Sequence, residues 1–122
     1  MSIDIDKHID NCISLKDNHY DIALISYELL KDKFRYKGKN NWEYYNDKNE
    51  WINDMNMKQL INGIKSIVVS KYLERVLKIN TDANIEDKDL KITRLLQIAN
   101  KLKNEKFIID LIKELKQFYN EN

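Results

Sequence analysis

Side chains that could carry chemistry are few in this sequence, and their spacing matches no catalytic or metal-binding motif. The single cysteine, Cys12, falls on an apolar helical face, where cysteine usually serves as a small core residue. The two histidines, His8 and His19, lie eleven positions apart, whereas the histidines of a helical metal-binding pair are about one turn apart. We therefore predict no catalytic residue, no metal site and no cofactor.

Carboxylates form two groups, each near the start of a predicted helix. The members are Asp4, Asp6 and Asp10 in one group, and Glu86, Asp87 and Asp89 in the other. Two-metal nuclease and primase sites also use spaced carboxylates. Acidic residues near the positive end of a helix are, however, a common structural feature. We interpret both groups as helix-end residues that are solvated.

Composition excludes several classes of function. The 122 residues carry 21 basic and 20 acidic side chains, and a net charge of +1 excludes binding of nucleic acid by bulk charge. Only two glycines, Gly38 and Gly63, are present, which excludes Walker and Rossmann phosphate loops. No apolar run approaches the length that crosses a bilayer, and the acidic N-terminus is unlike a signal peptide. We expect a cytoplasmic protein with no membrane partner and no enzymatic activity of its own.

Basic residues are concentrated in one segment. Residues 31–40 carry a net charge of +4, whereas residues 1–30 carry −4. The aromatic residues Trp42, Tyr44, Tyr45 and Trp51 follow closely. Cations beside rings are typical of single-strand nucleic-acid surfaces, because phosphates bind the cations and bases stack on the rings. The alternative interpretation is that Trp42, Tyr44 and Trp51 form the core face of a sheet, with the lysines as its solvated rim.

Strand periodicity predicts which side chains of this segment share a face. Apolar and basic residues alternate from Phe34 onward, so Phe34 and Tyr36 are predicted to face the helices while the cations face outward. An outward ridge of this kind can follow a phosphate backbone, with a ring at its edge to stack on a base. The predicted nucleic-acid-binding residues are Lys33, Arg35, Lys37, Lys39, Tyr45 and Trp51.

The rest of the chain has helical periodicity. It predicts five helices: a short one near residues 5–13, one over 19–33, a long one over 57–78, and two that begin after residues 87 and 104. A break between the first two is predicted at residues 16–18. Between the second and third helices, residues 34–37, 41–46 and 50–53 predict strands. The predicted N-caps are Asn18, Asn56, Asp87 and Asn104.

These elements predict an α+β fold that is mainly α, a five-helix bundle with a two- or three-stranded antiparallel meander inserted after the second helix. A meander this small is marginal alone, so its aromatic face must pack on the helices. We predict a single domain over residues 1–122. Helices one and two occupy 1–33, the meander 34–54, and three further helices 56–119.

Several segments resemble one known domain. They are Leu29-Leu30-Lys31-Asp32, Trp42-Glu43-Tyr44-Tyr45, Trp51-Ile52-Asn53-Asp54 with the long helix after it, Leu95 to Asn104, and Phe107 to Glu114. Together they span about residues 5–119. They resemble the domain just upstream of the superfamily-3 helicase core in poxvirus-type and giant-virus primase-helicases, and in related phage and plasmid primases. The resemblance implies that a helicase portion would begin near Asn122.

The resemblance implies a role in DNA replication. Family members carry a primase region, this connecting domain and then a hexameric ATP-driven helicase. The chain has no Walker A lysine in a Gly-rich loop and no recognisable primase carboxylate triad. The implied role is therefore non-catalytic: assisting ring assembly, and contacting single-stranded DNA, helicase or primase domains, or neighbouring subunits. The implied location is the host cytoplasm or a viral replication site.

A second hypothesis remains open beside this one. The chain would be a stand-alone protein–protein interaction module without nucleic-acid binding. Its partner would meet the exposed faces of the third and fifth helices.

Overall fold

The computed structural model describes residues 3–14 and 18–120, which form helices and one small sheet. The predicted α+β, mainly helical fold is confirmed, with a three-stranded antiparallel sheet directly after the second helix. Of the predicted break at residues 16–18, Lys16 and Asp17 lie outside the described residues. The elements are α1 (Ile5–Ser14), α2 (His19–Leu30), β1 (Phe34–Tyr36), β2 (Trp42–Tyr45), β3 (Trp51–Asn53), a 3-10 turn (Met55–Met57), α3 (Lys58–Gly63), a π turn (Ile64–Val68), α4 (Val69–Thr81), α5 (Lys88–Lys101) and α6 (Glu105–Asn120).

The predicted long third helix is confirmed as one continuous helical segment made of α3, the π turn and α4. Leu60, Ile64, Val68 and Tyr72 recur at every fourth position, and all four are fully buried. Burial of such a stripe is the main source of helix stability in a folded protein. The π turn was not predicted, because hydrophobic spacing does not report which backbone carbonyl each N–H group bonds.

The predicted cap of this long helix is wrong, because Asp54 rather than Asn56 closes its first turn. One carboxylate oxygen of Asp54 accepts the backbone N–H of Gln59 at 2.8 Å, and the other accepts that of Leu60 at 2.9 Å. Asn56 instead has a left-handed backbone with φ of 57°, as does Met57 with φ of 58°. An N-cap residue normally has an extended backbone, so Asn56 cannot take that role.

The three other predicted caps have different outcomes. Asn104 Oδ1 accepts the backbone N–H of Phe107 at 3.0 Å, which confirms the cap of α6. Asp87 stands directly before α5, but it is left-handed, with φ of 53°, and makes no capping bond. Asn18 stands directly before α2, yet its amide donates to the Cys12 carbonyl at 3.4 Å instead of capping α2.

The acidic residues of α1 connect this helix to α4. Asp10 makes a bidentate contact with Arg75, whose Nε and Nη2 lie 2.9 and 2.7 Å from its two oxygens. Asp6 accepts a bond from Nζ of Lys78 at 3.1 Å. Of the three predicted helix-end acids in this group, Asp4 accepts a backbone N–H of the first turn at 3.2 Å. Asp6 and Asp10 therefore serve mainly as partners for α4.

The inner side of the sheet packs on α3 and α6. A Cβ atom built at Gly63 of α3 would lie 3.4 Å from the Phe34 ring, so helix and sheet are in direct contact there. The Trp42 ring of β2 lies 5.0 Å from the Tyr119 ring of α6, measured between centres. This packing supplies the support that a three-stranded sheet needs. Within residues 3–14 and 18–120, no helix combines the length and apolar character needed to cross a bilayer.

Candidate nucleic-acid interface

The register of the three strands decides which rings face outward. Arg35 pairs with Glu43, Glu43 pairs with Asn53, and Tyr45 pairs with Trp51. Residues that lie opposite each other share one face of a sheet, and successive residues alternate between faces. The side away from the helices, called the outer face below, therefore carries Arg35, Glu43, Tyr45, Trp51 and Asn53.

The inner face carries Phe34, Tyr36, Trp42 and Tyr44. Trp42 is fully buried, and its ring centre lies 4.9 Å from that of Tyr36. The prediction that Phe34 and Tyr36 face the helices is confirmed, because both pack on the core. The alternative interpretation placed Trp42, Tyr44 and Trp51 on the core face of the sheet. It is confirmed for Trp42 and for Tyr44, which packs against the core cluster. It does not hold for Trp51, which belongs to the outer face.

Arg35 and two rings are in contact on the outer face. The guanidinium carbon of Arg35 lies 4.3 Å from the centre of the Trp51 ring. The Tyr45 ring centre lies 5.1 Å from that of Trp51, and the two planes are inclined at 61°. An arginine above a tryptophan is a favourable cation–π arrangement. The rings are thus held in place before any ligand arrives, with Tyr45 exposed and Trp51 half-buried.

Glu43 places a negative charge in the middle of the predicted basic ridge. Nε of Arg35 donates to Oε1 of Glu43 at 2.6 Å. The central cation of the ridge is therefore already paired. Glu43 was not predicted as part of this surface, although turn geometry fixes the register of a hairpin and would have placed Glu43 opposite Arg35.

The predicted lysines occupy two different environments. The Lys33 carbonyl accepts the N–H of Tyr45 at 2.8 Å, and the Lys37 N–H donates to the Asn41 carbonyl at 2.8 Å, so strand pairing continues on both sides of β1. Alternation places both side chains on the outer side. Lys39 does not continue the row formed by Lys33, Arg35 and Lys37. Its backbone is left-handed, with φ of 53°, in the turn to β2. The ridge of four cations is thus shorter than predicted.

A groove of about 250 Å³ opens beside Lys33 and Tyr45. Its opposite wall is the segment of α3 and the π turn that carries Gln59, Asn62 and Ser66. Amide and hydroxyl groups form hydrogen bonds with base edges and with phosphates. These three residues were not predicted as part of the surface, because only the packing of the sheet on α3 brings them next to Lys33.

The reactive residues elsewhere have structural partners. Sγ of Cys12 lies 3.4 Å from the Tyr72 hydroxyl in the core. Burial raises the pKa of the Cys12 thiol from its ordinary value of 9.0 to about 11, which keeps the nucleophilic thiolate scarce at neutral pH. Nδ1 of His8 lies 3.4 Å from a carboxylate oxygen of Asp21. In the described part of the chain, no three His, Cys, Asp or Glu side chains come together as a metal-binding group.

Comparison of the chain with protein-family models, with curated proteins and with solved structures gave no match. The resemblance to the domain upstream of a helicase core therefore stays a prediction. The outer face and the groove beside it are the structural features that bear most directly on that prediction.

Proposed function

We propose that this chain is a non-catalytic accessory domain of a viral or mobile-element DNA replication primase-helicase, and that its outer face contacts single-stranded DNA. Such a domain assists ring assembly beside helicase and primase domains or neighbouring subunits. The host cytoplasm or a viral replication site is where such a protein acts. The resemblance over about residues 5–119 supports the replication context. The exposed outer face supports the contact with DNA.

The placement of Tyr45 and Trp51 is the observation that carries the proposal. Trp42, the packing ring of this sheet, is fully buried. Tyr45 and Trp51 lie on the other side, with ring centres 5.1 Å apart. Bases of a single strand stack on such rings regardless of sequence. The outer face therefore suits a strand whose bases are unpaired.

Exposed lysines on and beside the outer face also favour binding of a polyanion such as DNA. Lys33 and Lys37 are exposed at opposite ends of β1, and Lys39 is exposed in the turn that follows. In the part of the chain that the structure describes, these three lysines form no ion pair, so phosphates can bind them directly. Arg35 has a different role, since Glu43 already neutralises it and its guanidinium mainly fixes Trp51.

The groove extends this surface toward the long helix. Gln59, Asn62 and Ser66 lie across from Lys33 and Tyr45. A base that stacks on Tyr45 can place its edge against these amide and hydroxyl groups. Such contacts require a base edge that is not paired, which favours single strands over duplexes.

The test is a fluorescence-anisotropy titration with a labelled single-stranded oligonucleotide and with the same sequence as a duplex, each at two salt concentrations. We expect the single strand to bind more tightly and its affinity to fall as salt rises, because bound phosphates release counterions. Tyr45→Ala, which removes the exposed ring, should weaken binding about 5- to 150-fold, which corresponds to about 1–3 kcal/mol for one stacked base.

Tyr20→Ala is the matched control. Tyr20 is an aromatic residue of α2 that is exposed to 53%, and it lies outside the sheet. We expect this variant to bind DNA like the wild type. An equal loss in both variants, or a wild-type protein without salt-dependent binding, would contradict the proposal.

The interaction-module hypothesis is favoured by a different set of side chains. Leu73 and Leu77 of α4 and Leu90 and Leu96 of α5 are exposed, Leu77 to 65%. Leu73 and Leu96 line one groove, and exposed apolar groups that adjoin one another commonly mark protein contacts. These leucines lie on the third and fourth of the five predicted helices, whereas the predicted partner faces were on the third and fifth. Concentration-dependent sedimentation that Leu77→Gln abolishes, together with no DNA binding by the wild type, would favour this hypothesis.

A further inference from the structure

A second cleft, which shares only Asn53 with the outer face, opens where the sheet meets α6. Its volume is about 520 Å³, within the range of about 300–1,000 Å³ that is typical of small-ligand sites. Three segments form its walls: the β1–β2 turn, the residues that connect β3 to α3, and the middle of α6. It is therefore a concave site built by parts of the chain that are distant in sequence.

Amides supply most of the polar lining of this cleft. Asn41, Asn53 and Asn56 line it and are exposed, so their carboxamide donors and acceptors are open to a ligand. The lining also contains the carboxylate of Asp54. Both of its oxygens accept backbone N–H groups at the start of α3, at 2.8 and 2.9 Å. The cleft thus offers neutral hydrogen-bonding groups, and its acid is already engaged.

Two cations stand on one wall. Lys113 and Lys116 lie three positions apart on α6, which places them on neighbouring turns of one face. Nζ of Lys116 donates to the Asn40 carboxamide oxygen and lies 5.5 Å from the centre of the Tyr36 ring. Nζ of Lys113 lies 3.6 Å from an Asp110 oxygen, but its side chain is 72% exposed, so that pair is weak. The wall therefore favours an anion.

Apolar side chains also line the cleft. Met55 is exposed to 73% at the cleft, and Ile109 lies in the same lining. A methionine side chain is polarizable and adapts its shape to a planar partner. The next two residues, Asn56 and Met57, both have left-handed backbones. Sparsely populated conformations of this kind are concentrated at ligand sites, and here they present Met55 and Asn56 together.

From this arrangement we infer that the cleft binds an adenine nucleotide that carries a 5′-phosphate. The phosphate binds Lys113 and Lys116. The adenine edge presents a donor and an acceptor side by side, which a carboxamide matches with two hydrogen bonds, and Asn41, Asn53 and Asn56 supply carboxamides. The face of the base packs on Met55. Two sources share this chemistry: a free nucleotide, and the 5′-phosphorylated end of a DNA strand.

The experiment is a titration of the ¹⁵N-labelled full chain, monitored by two-dimensional NMR, which reports side-chain amide groups of asparagine directly. The probes are AMP, CMP, adenosine and inorganic phosphate. We expect saturable shifts of the side-chain signals of Asn41, Asn53 and Asn56 with AMP, and weaker binding of the other three probes. No saturable shift with millimolar AMP, or shifts confined to other residues, would overturn the inference. Equal binding of AMP and phosphate, of AMP and adenosine, or of AMP and CMP, would overturn it as well.

Variants separate the phosphate contact from general charge. Lys113→Gln should weaken AMP about tenfold, as expected for one charge-assisted hydrogen bond, and should leave adenosine unchanged. Lys103→Gln makes the same charge change at an exposed lysine that lines a groove between α4 and α5, and it should leave AMP binding unchanged. Equal weakening by both variants would show that the lysines act only through net charge, and the inference would fail.

Two further measurements complete the test. One identifies whether the ligand is a free nucleotide or a strand end, and the other shows whether the cleft is separate from the outer face. A 5′-phosphorylated oligodeoxyadenylate that shifts the three asparagines, when its unphosphorylated form does not, identifies a strand end. AMP binding without this difference identifies a free nucleotide. Trp51→Ala should not change AMP affinity, because Trp51 does not line the cleft. AMP binding that disappears in Trp51→Ala would contradict a separate site.

Discussion

The guanidinium of Arg35 lies over the Trp51 ring, with its central carbon 4.3 Å from the ring centre. The same guanidinium donates to Glu43. Arg35 is therefore held from two sides, and its position is fixed before any ligand binds. The consequence for binding depends on Glu43, since this carboxylate both orients the cation and cancels its charge.

We predict that Glu43→Gln strengthens binding of single-stranded DNA. Glutamine keeps a hydrogen-bond acceptor for Arg35 but removes the negative charge, so Arg35 becomes able to neutralise a phosphate. In anisotropy titrations over a salt series, the logarithm of the affinity should fall more steeply with the logarithm of salt, by about 0.7 for one additional phosphate contact on a single strand.

Glu105→Gln is the control for this prediction. Glu105 is an exposed acid in the first turn of α6, and its removal changes the net charge by the same amount. We expect an unchanged salt slope. If Glu43→Gln also leaves the slope unchanged, Arg35 does not meet the strand.

We predict that Asp54→Ala destabilises the protein by about 2 kcal/mol or more. The substitution removes two hydrogen bonds from a carboxylate to backbone N–H groups, at 2.8 and 2.9 Å. Loss of an ordinary N-cap costs about 0.5–2 kcal/mol. A hydrogen bond to a charged group contributes more to stability than a bond between neutral groups, and Asp54 makes two of them. Urea unfolding followed by circular dichroism measures the change.

Asn56→Gly is the complementary test of whether Asp54 or Asn56 caps the long helix. Glycine adopts the left-handed conformation of Asn56 without strain, so we expect stability close to that of the wild type. A larger loss for Asn56→Gly than for Asp54→Ala would return the capping role to Asn56.

The two glycines should respond to alanine in opposite directions. Gly63 has a helical backbone, and a Cβ there would meet the Phe34 ring at 3.4 Å, which is an ordinary contact distance. Gly63→Ala should raise the free energy of unfolding by up to about 1 kcal/mol through helix propensity. Gly38 has φ of 86° with open space around it, so Gly38→Ala should lower stability by about 1 kcal/mol through strain alone. Thermal and urea unfolding of both variants distinguish the two effects, and equal signs would refute this account.

We predict a loss of stability between pH 9 and pH 11 that depends partly on Cys12. Burial raises the pKa of this thiol from 9.0 to about 11. The folded state therefore holds the proton more tightly than the unfolded state, and the resulting stability is complete below pH 9 and is lost as pH rises to 11. Burial also raises the pKa of Tyr72, so part of the loss persists without Cys12.

Urea unfolding of the wild type and of Cys12→Ala at several pH values above 8 measures this contribution. The wild type should lose more stability than the variant over the same range. Parallel curves would show that the Cys12 thiol ionises as easily in the folded protein as in the unfolded chain.

Local patterns predicted the parts of the fold that local interactions determine. Alternation in the meander placed Phe34 and Tyr36 on the side of the helices, and both pack there, because strand geometry sends neighbouring residues to opposite faces. Asn104 was predicted as a cap and is one, because its partner lies within a single turn. The long helix was predicted because its apolar stripe spans several turns.

Contacts that depend on a special turn conformation or on tertiary packing could not be predicted in the same way. Asp54 reaches the start of α3 only because Asn56 and Met57 are left-handed, and these two conformations follow from no simple sequence pattern. Gln59 meets Lys33 across a groove that exists only after the sheet packs on α3. Both features result from tertiary packing, which hydrophobic periodicity does not describe.

The π turn explains how the long helix keeps one side toward the core. From Leu60 to Val76, apolar residues recur at every fourth position. In a regular α-helix each residue advances about 100°, so a step of four overshoots a full circle by about 40° and the stripe winds around the axis. The wider turn at Ile64–Val68 rotates less per residue and takes up part of that overshoot. The chain thus has room at this point for one residue more than a regular helix of the same rise would need, and an alignment with a relative whose helix is regular should contain a single-residue gap here.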